Sequence, residues 1–135
     1  MKSLLPIVIV LILSSGYGIW YQRSRGKVVV KSDKGLITEA MIGAALGSRA
    51  TLVQFSSAFC TPCRATRILL EDVTANMGDV SHVEIDAEAH LELVRQLDIR
   101  STPTTLFIDR NGHEVGRAMG APKRAQVLSA IQAIQ

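Results

Sequence analysis

Val53-Gln54-Phe55-Ser56-Ser57-Ala58-Phe59-Cys60-Thr61-Pro62-Cys63-Arg64 contains both cysteines of this 135-residue chain, three positions apart. The run Thr51 to Phe55 has the length and composition of a strand. Pro62 suits the first turn of a helix, and Ile68, Leu69, Leu70 and Val73 continue that helix towards Met77, with Gly78 as its expected stop. Thiols at i and i+3 on a first helical turn can close into a small disulfide and reopen. Such a ring cross-links almost no chain and adds little as a staple. The pair therefore reads as one that exchanges electrons. Free N–H groups and the positive end of the helix dipole favour a thiolate at the helix start. Cys60 is expected to be the exposed nucleophile, and Cys63, one turn in, the more buried resolving thiol.

Downstream, His82 to Asp86 is a second strand. Leu91, Leu93, Val94 and Leu97 fall largely on one face of a helix over 88–97. Thr104 to Ile108 is a third strand, Asn111-Gly112 a hairpin signal, and Glu114 to Met119 a fourth strand ended by Gly120. A last helix is expected from Pro122 to Ile134. Upstream, a helix over 38–47 has Thr38 as N-cap and Gly47 as stop. Val28-Val29-Val30 has the composition of a short edge strand. The first two strand–helix–strand steps imply parallel pairing and the hairpin an antiparallel pair. The result is an α/β domain with a mixed central sheet flanked by helices.

In these features the chain resembles the thioredoxin family. The resemblance rests on Val53 to Arg64, Glu84-Ile85-Asp86, Arg100-Ser101-Thr102-Pro103-Thr104, Asp109-Arg110-Asn111-Gly112 and Gly120. It covers residues 36–134, and Pro103 follows Cys60 by 43 positions, close to the family's usual separation. It implies the thioredoxin fold and a cis Pro103 facing the disulfide. It further implies that the backbone before Pro103 accepts a substrate chain as an added strand. Phe59, Thr61, Pro62, Thr102 and Pro103 then form the substrate-binding surface around Cys60 and Cys63. No cofactor is implied beyond the redox-active cysteine pair. The implied partners are disulfide-containing proteins and an external thiol reductant.

Three positions depart from the family pattern. Gln54 stands where many thioredoxins have a buried aspartate that relays the proton of the resolving cysteine, and Gln54 accepts no proton at working pH. Deprotonation of Cys63 is then expected to depend on water or on another group, or Gln54 is simply a core amide with its hydrogen bonds satisfied. Phe59 replaces the usual tryptophan, keeping aromatic cover without an indole donor, and Ser56 replaces a second tryptophan. Thr61 replaces the common glycine between the cysteines, so the redox potential of an ordinary thioredoxin is not carried over.

The N-terminus adds a membrane. Twenty uncharged residues, Ser3 to Gln22, separate Lys2 from Arg23. At about 1.5 Å per residue they span the roughly 30 Å hydrocarbon core. Tyr17, Trp20 and Tyr21 cluster at the far end, where aromatic rings favour the interface. A transmembrane anchor over 1–22, a basic linker over 23–35 and a domain over 36–135 follow. The competing reading is a cleaved signal peptide, with Ser14-Ser15-Gly16 supplying small residues. The aromatic belt and basic stop favour the anchor. Residues 1–34 hold six basic residues and one acid, against nine and eleven in the remainder. The basic balance is thus N-terminal, and the domain lacks the basic face that nucleic-acid binding requires. By the positive-inside rule the basic residues after the segment put the domain on the cytoplasmic side.

Arg64 and Arg67 read as a solvated helix face, and Asp86, Glu88 and Glu92 have no catalytic spacing. A metal centre needs about four ligands, and only His82, His90 and His113 could join the two thiols, so no metal is expected. The reading is a membrane-tethered thiol–disulfide oxidoreductase. The alternatives are a binding module without turnover, or an extracytoplasmic oxidase, isomerase or cytochrome-maturation protein.

Overall fold

A computed structural model describes residues 4–24, 28–29 and 35–135. Most of the expected basic linker, and Val30, lie outside the described residues. The elements are α1 (Leu5–Ser24), β1 (Val28–Val29), α2 (Glu39–Ile42), β2 (Ala50–Ser56) and α3 (Thr61–Thr74). They continue with β3 (Val80–Asp86), α4 (Leu91–Gln96), β4 (Thr104–Asp109), β5 (Glu114–Met119) and α5 (Arg124–Gln132). The sheet order is β1-β5-β4-β2-β3. β2 runs parallel to β3, and the β2–β4, β4–β5 and β1–β5 pairs are antiparallel. This is the thioredoxin fold: a mixed four-strand sheet extended at one edge by the two residues of β1.

The expected parallel pairing holds for the first crossover and fails for the second. β4 enters the sheet at Thr104 opposite Phe55, the end at which β3 leaves it beside Ser56. A parallel return would have to run back along β3, about 23 Å for seven strand residues, whereas the six residues of α4 rise only about 9 Å. The chain instead turns over α4 and enters β4 antiparallel.

Helix bounds also shift. Gly43, in the left-handed region (φ 68°), ends α2 after four residues, so Gly47 is not its stop. Gly47 is needed for close approach, because a Cβ there would stand 2.1 Å from the Ala50 carbonyl oxygen. α3 ends at Ala75 rather than Gly78, and α4 and α5 are shorter than expected.

Strand alternation divides the core. Val53, Phe55, Leu106 and Ile108 face Ile42, Leu93, Leu97 and Ile99, on the side of α2 and α4. Ala50, Leu52, Phe107 and Ala118 face Leu70, Val73, Val127 and Ile131, on the side of α3 and α5. Every element end that matters for the site, from Ser56, Cys60, Asp86 and Thr104 to Gly120, gathers at one edge of this sandwich.

α1 stands apart from both clusters. Its large apolar side chains are all exposed, and by length and composition it can cross a membrane. Tyr17 packs against Trp20 and Tyr21 at its C-terminal end.

Candidate active site

β2 delivers the chain to a short turn, and α3 begins immediately after it. Cys60 is the N-cap of α3: its backbone is extended and its Sγ accepts the Cys63 N–H at 3.2 Å. Pro62 falls in the first turn, where its missing N–H costs nothing. Cys60 and Cys63 are joined as a disulfide, with Cα atoms 5.2 Å apart. Cys60 is half-buried and Cys63 buried, the division of exposure expected of attacking and resolving thiols.

Gln54 lies beneath the pair, fully buried on the α3 side of the sheet. Its Nε2 donates to the Cys63 carbonyl at 2.8 Å and to Ser56 Oγ at 3.0 Å. Its Oε1 is 3.1 Å from Nε2 of His82 on β3. The amide is thus satisfied, and a histidine that sequence reasoning considered only as a metal ligand belongs to the active-site web. The parallel register brings it there, pairing Gln54 with Glu84 and Leu52 with His82. Burial pushes the His82 imidazole below its usual 6.5; Glu71 opposes that shift and Arg67 reinforces it.

The Thr102–Pro103 peptide is cis. The Pro103 carbonyl is held by the Gly120 N–H at 2.8 Å, and Thr102 Oγ1 lies 3.2 Å from Ser57 Oγ. Pro62, Ser101, Thr102, Pro103, Met119 and Gly120 line a groove of about 470 Å³ on this flank. A second cleft, of about 300 Å³, lies along the other flank between Cys60, Cys63, Arg64, Arg67, Glu84 and Asp86. Arg67 and Glu84 pair across it at 3.7 Å. Thr61 and Pro62 are exposed beside the disulfide.

Phe59 corrects an expectation. It is 99% exposed, so its ring covers nothing in the free protein. The two-residue turn Ala58–Phe59 carries the side chain off the tip of the loop, away from the sheet. Among the described residues, no three His, Cys, Asp or Glu side chains come together as metal ligands.

A disulfide-bonded cysteine pair at a helix start, the first residue half-buried and the second buried, flanked by a groove that a cis proline lines, defines a thiol–disulfide exchange protein. The thioredoxin family model matches residues 38–133. Thioredoxin H5 of Oryza sativa subsp. japonica is 31% identical over 97 residues, covering 72% of this chain and 71% of its own. A thioredoxin of Mycolicibacterium smegmatis is 31% identical over 84 residues, covering 60% and 74%. The crystal structure of the Nicotiana alata thioredoxin NaTrxh superposes with a TM-score of 0.58 at 26% identity, covering 64% of this chain and 73% of that one. The chain belongs to the thioredoxin family, whose members are thiol–disulfide oxidoreductases.

Proposed function

We propose that this protein is a membrane-tethered protein-disulfide oxidoreductase acting as a reductase. The observation that carries the reading is the division of labour between the cysteines, with Cys60 reachable at the cap of α3 and Cys63 buried behind it. In the reduced protein the Cys60 thiolate attacks one sulfur of a substrate disulfide and expels the other as a thiolate. Cys63 then attacks Cys60 Sγ, releases the second substrate thiolate and closes the Cys60–Cys63 ring. An external dithiol returns two electrons and two protons. The substrate backbone lies along Ser101–Thr102 in the groove before Pro103, and the exposed Phe59 ring packs onto the substrate rather than onto the enzyme.

The membrane part rests on α1, whose apolar surface no other part of the described chain covers. Its aromatic end and the basic residues that follow support an anchored domain on the cytoplasmic face. The test is insulin reduction by the full chain in detergent with a dithiol donor. Cys60→Ser is expected to abolish turnover, and Cys63→Ser to trap a mixed disulfide on Cys60. A wild-type protein that binds substrate without turning it over would instead make this a binding module. Labelling of Cys60 in intact cells by a membrane-impermeant thiol reagent would put the domain outside.

A further inference from the structure

The Gln54 amide can sit only one way round. The Cys63 carbonyl only accepts, so Gln54 must present Nε2 to it, at 2.8 Å. Oε1 then faces His82 Nε2 at 3.1 Å, and that nitrogen must carry a hydrogen. Neutral His82 is therefore the Nε2–H tautomer, and any further proton goes to Nδ1. Protonation leaves every hydrogen bond of the web in place and adds one positive charge.

The bonds also share one sense. His82 donates to Gln54, Gln54 donates to the Cys63 carbonyl, and the Cys63 N–H donates to Cys60 Sγ. Only the Cys63 Cα interrupts the run. Donors aimed along one line polarise one another. A positive charge at the His82 end favours a negative one on the sulfur, and the converse holds by linkage.

We infer that His82 is the redox-linked proton site of this active centre, binding a proton as the disulfide is reduced and returning it as the disulfide reforms. The inference rests on the dithiol mechanism proposed above. Reduction by a dithiol donor breaks the Cys60–Cys63 bond and forms the donor's own disulfide. The donor's two electrons go to the two sulfurs. One of its two protons goes to Cys63 as a thiol and the other to His82 Nδ1, leaving Cys60 as a thiolate.

The surroundings set the window. In the oxidised protein burial disfavours the imidazolium, with Glu71 of α3 opposing and Arg67 of the same helix reinforcing. Glu84, on the same strand, is engaged by Arg67. A thiolate adds the missing favourable charge without displacing any of these groups. His82 is a positioning residue here, since it reaches the sulfurs only through Gln54 and the Cys63 backbone.

The test follows the His82 ring by NMR across a pH titration of the full chain in detergent micelles, oxidised and then dithiol-reduced. His82 is expected to bind its proton at least about threefold more tightly in the reduced state. In a redox titration against a dithiol–disulfide couple, after the Cys60 thiol has ionised, wild type should take up at least about one and a quarter protons per pair of electrons near the pH at which His82 is half-protonated. His82→Gln should fall towards one. Identical His82 titration in the two states overturns the inference, as does an unchanged proton count in His82→Gln. A wild-type protein whose disulfide resists the donor, or which fails to reduce insulin, overturns the underlying mechanism instead.

Discussion

Besides threonines and a serine, each face of the sheet buries one larger polar feature among the described residues, and the two are of opposite kinds. On the α3 and α5 side it is Gln54, a neutral amide beneath the reacting sulfurs. On the α2 and α4 side it is an ion pair. Arg117 binds Glu114 in a fork, Nε to Oε1 at 2.5 Å and Nη2 to Oε2 at 2.8 Å. The same guanidinium donates to the carbonyls of Leu97 and Asp98, just past the end of α4. Both side chains of the pair are buried. The amide does not titrate, so it can lie under a site whose charge changes at every turnover. The ion pair acts where nothing reacts, tying the hairpin to the helix that the chain rounds before Pro103.

Four outcomes would break or sharpen that contrast. Arg117→Met strands a buried carboxylate and is expected to cost about 3–5 kcal/mol of stability in urea titration of the full chain. Arg117→Met with Glu114→Met should recover much of it; a single variant as stable as wild type would show that the pair is no tie. Gln54→Ala leaves Ser56 and His82 without their amide partner and should cost less, about 1–3 kcal/mol, while slowing insulin reduction. Gln54→Asp is expected to add an ionisation to the pH profile of reduction, displaced above the ordinary carboxylate range by burial. An unaltered profile would mean that the group beneath Cys63 takes no part in its proton chemistry.

A subtler effect belongs to His82. Its folded-state pKa lies below the unfolded value of 6.5, so the unfolded chain binds more protons between the two. The stability this neutral histidine contributes is complete above 6.5 and is lost as pH falls through the folded value. Thermal melts of the oxidised protein from pH 7.5 to 5 should show a shallower acid decline in His82→Gln than in wild type. Smallest is Glu84→Ala, which removes a half-exposed pair with Arg67 and should change stability by about 1 kcal/mol or less.

The strands, the cysteine helix, Pro103 and the hairpin were all legible, because each is written in local sequence: an apolar run, a proline in a first turn, Asn111-Gly112. What escaped depends on register. Glu114 and Arg117 are three apart, a spacing that puts side chains on opposite faces of a regular strand. Here Phe107 pairs with Gly116 and Ile108 with Glu114, so Val115 is the extra residue of a bulge. The bulge shifts the alternation by one and brings both charges to the same face. A glycine beside it was the single local hint. His82 escaped likewise, since its tie to Gln54, 28 residues away, depends on their two strands lying in parallel register. The exposure of Phe59 is set by a turn direction that composition does not encode.

The cap of α3 makes one atom serve two trades. Cys60 Sγ is the reacting sulfur and also the acceptor for the first turn of its own helix. Whenever that sulfur is engaged by a substrate, the helix start must share its fastening with a visitor. The remaining moorings are the Gln54 amide on the Cys63 carbonyl in that same turn, the Thr66 hydroxyl bonded to the Pro62 carbonyl, and Leu70 and Val73 sunk into the core. With these in place, α3 keeps its first turn seated on the sheet while its capping atom changes hands.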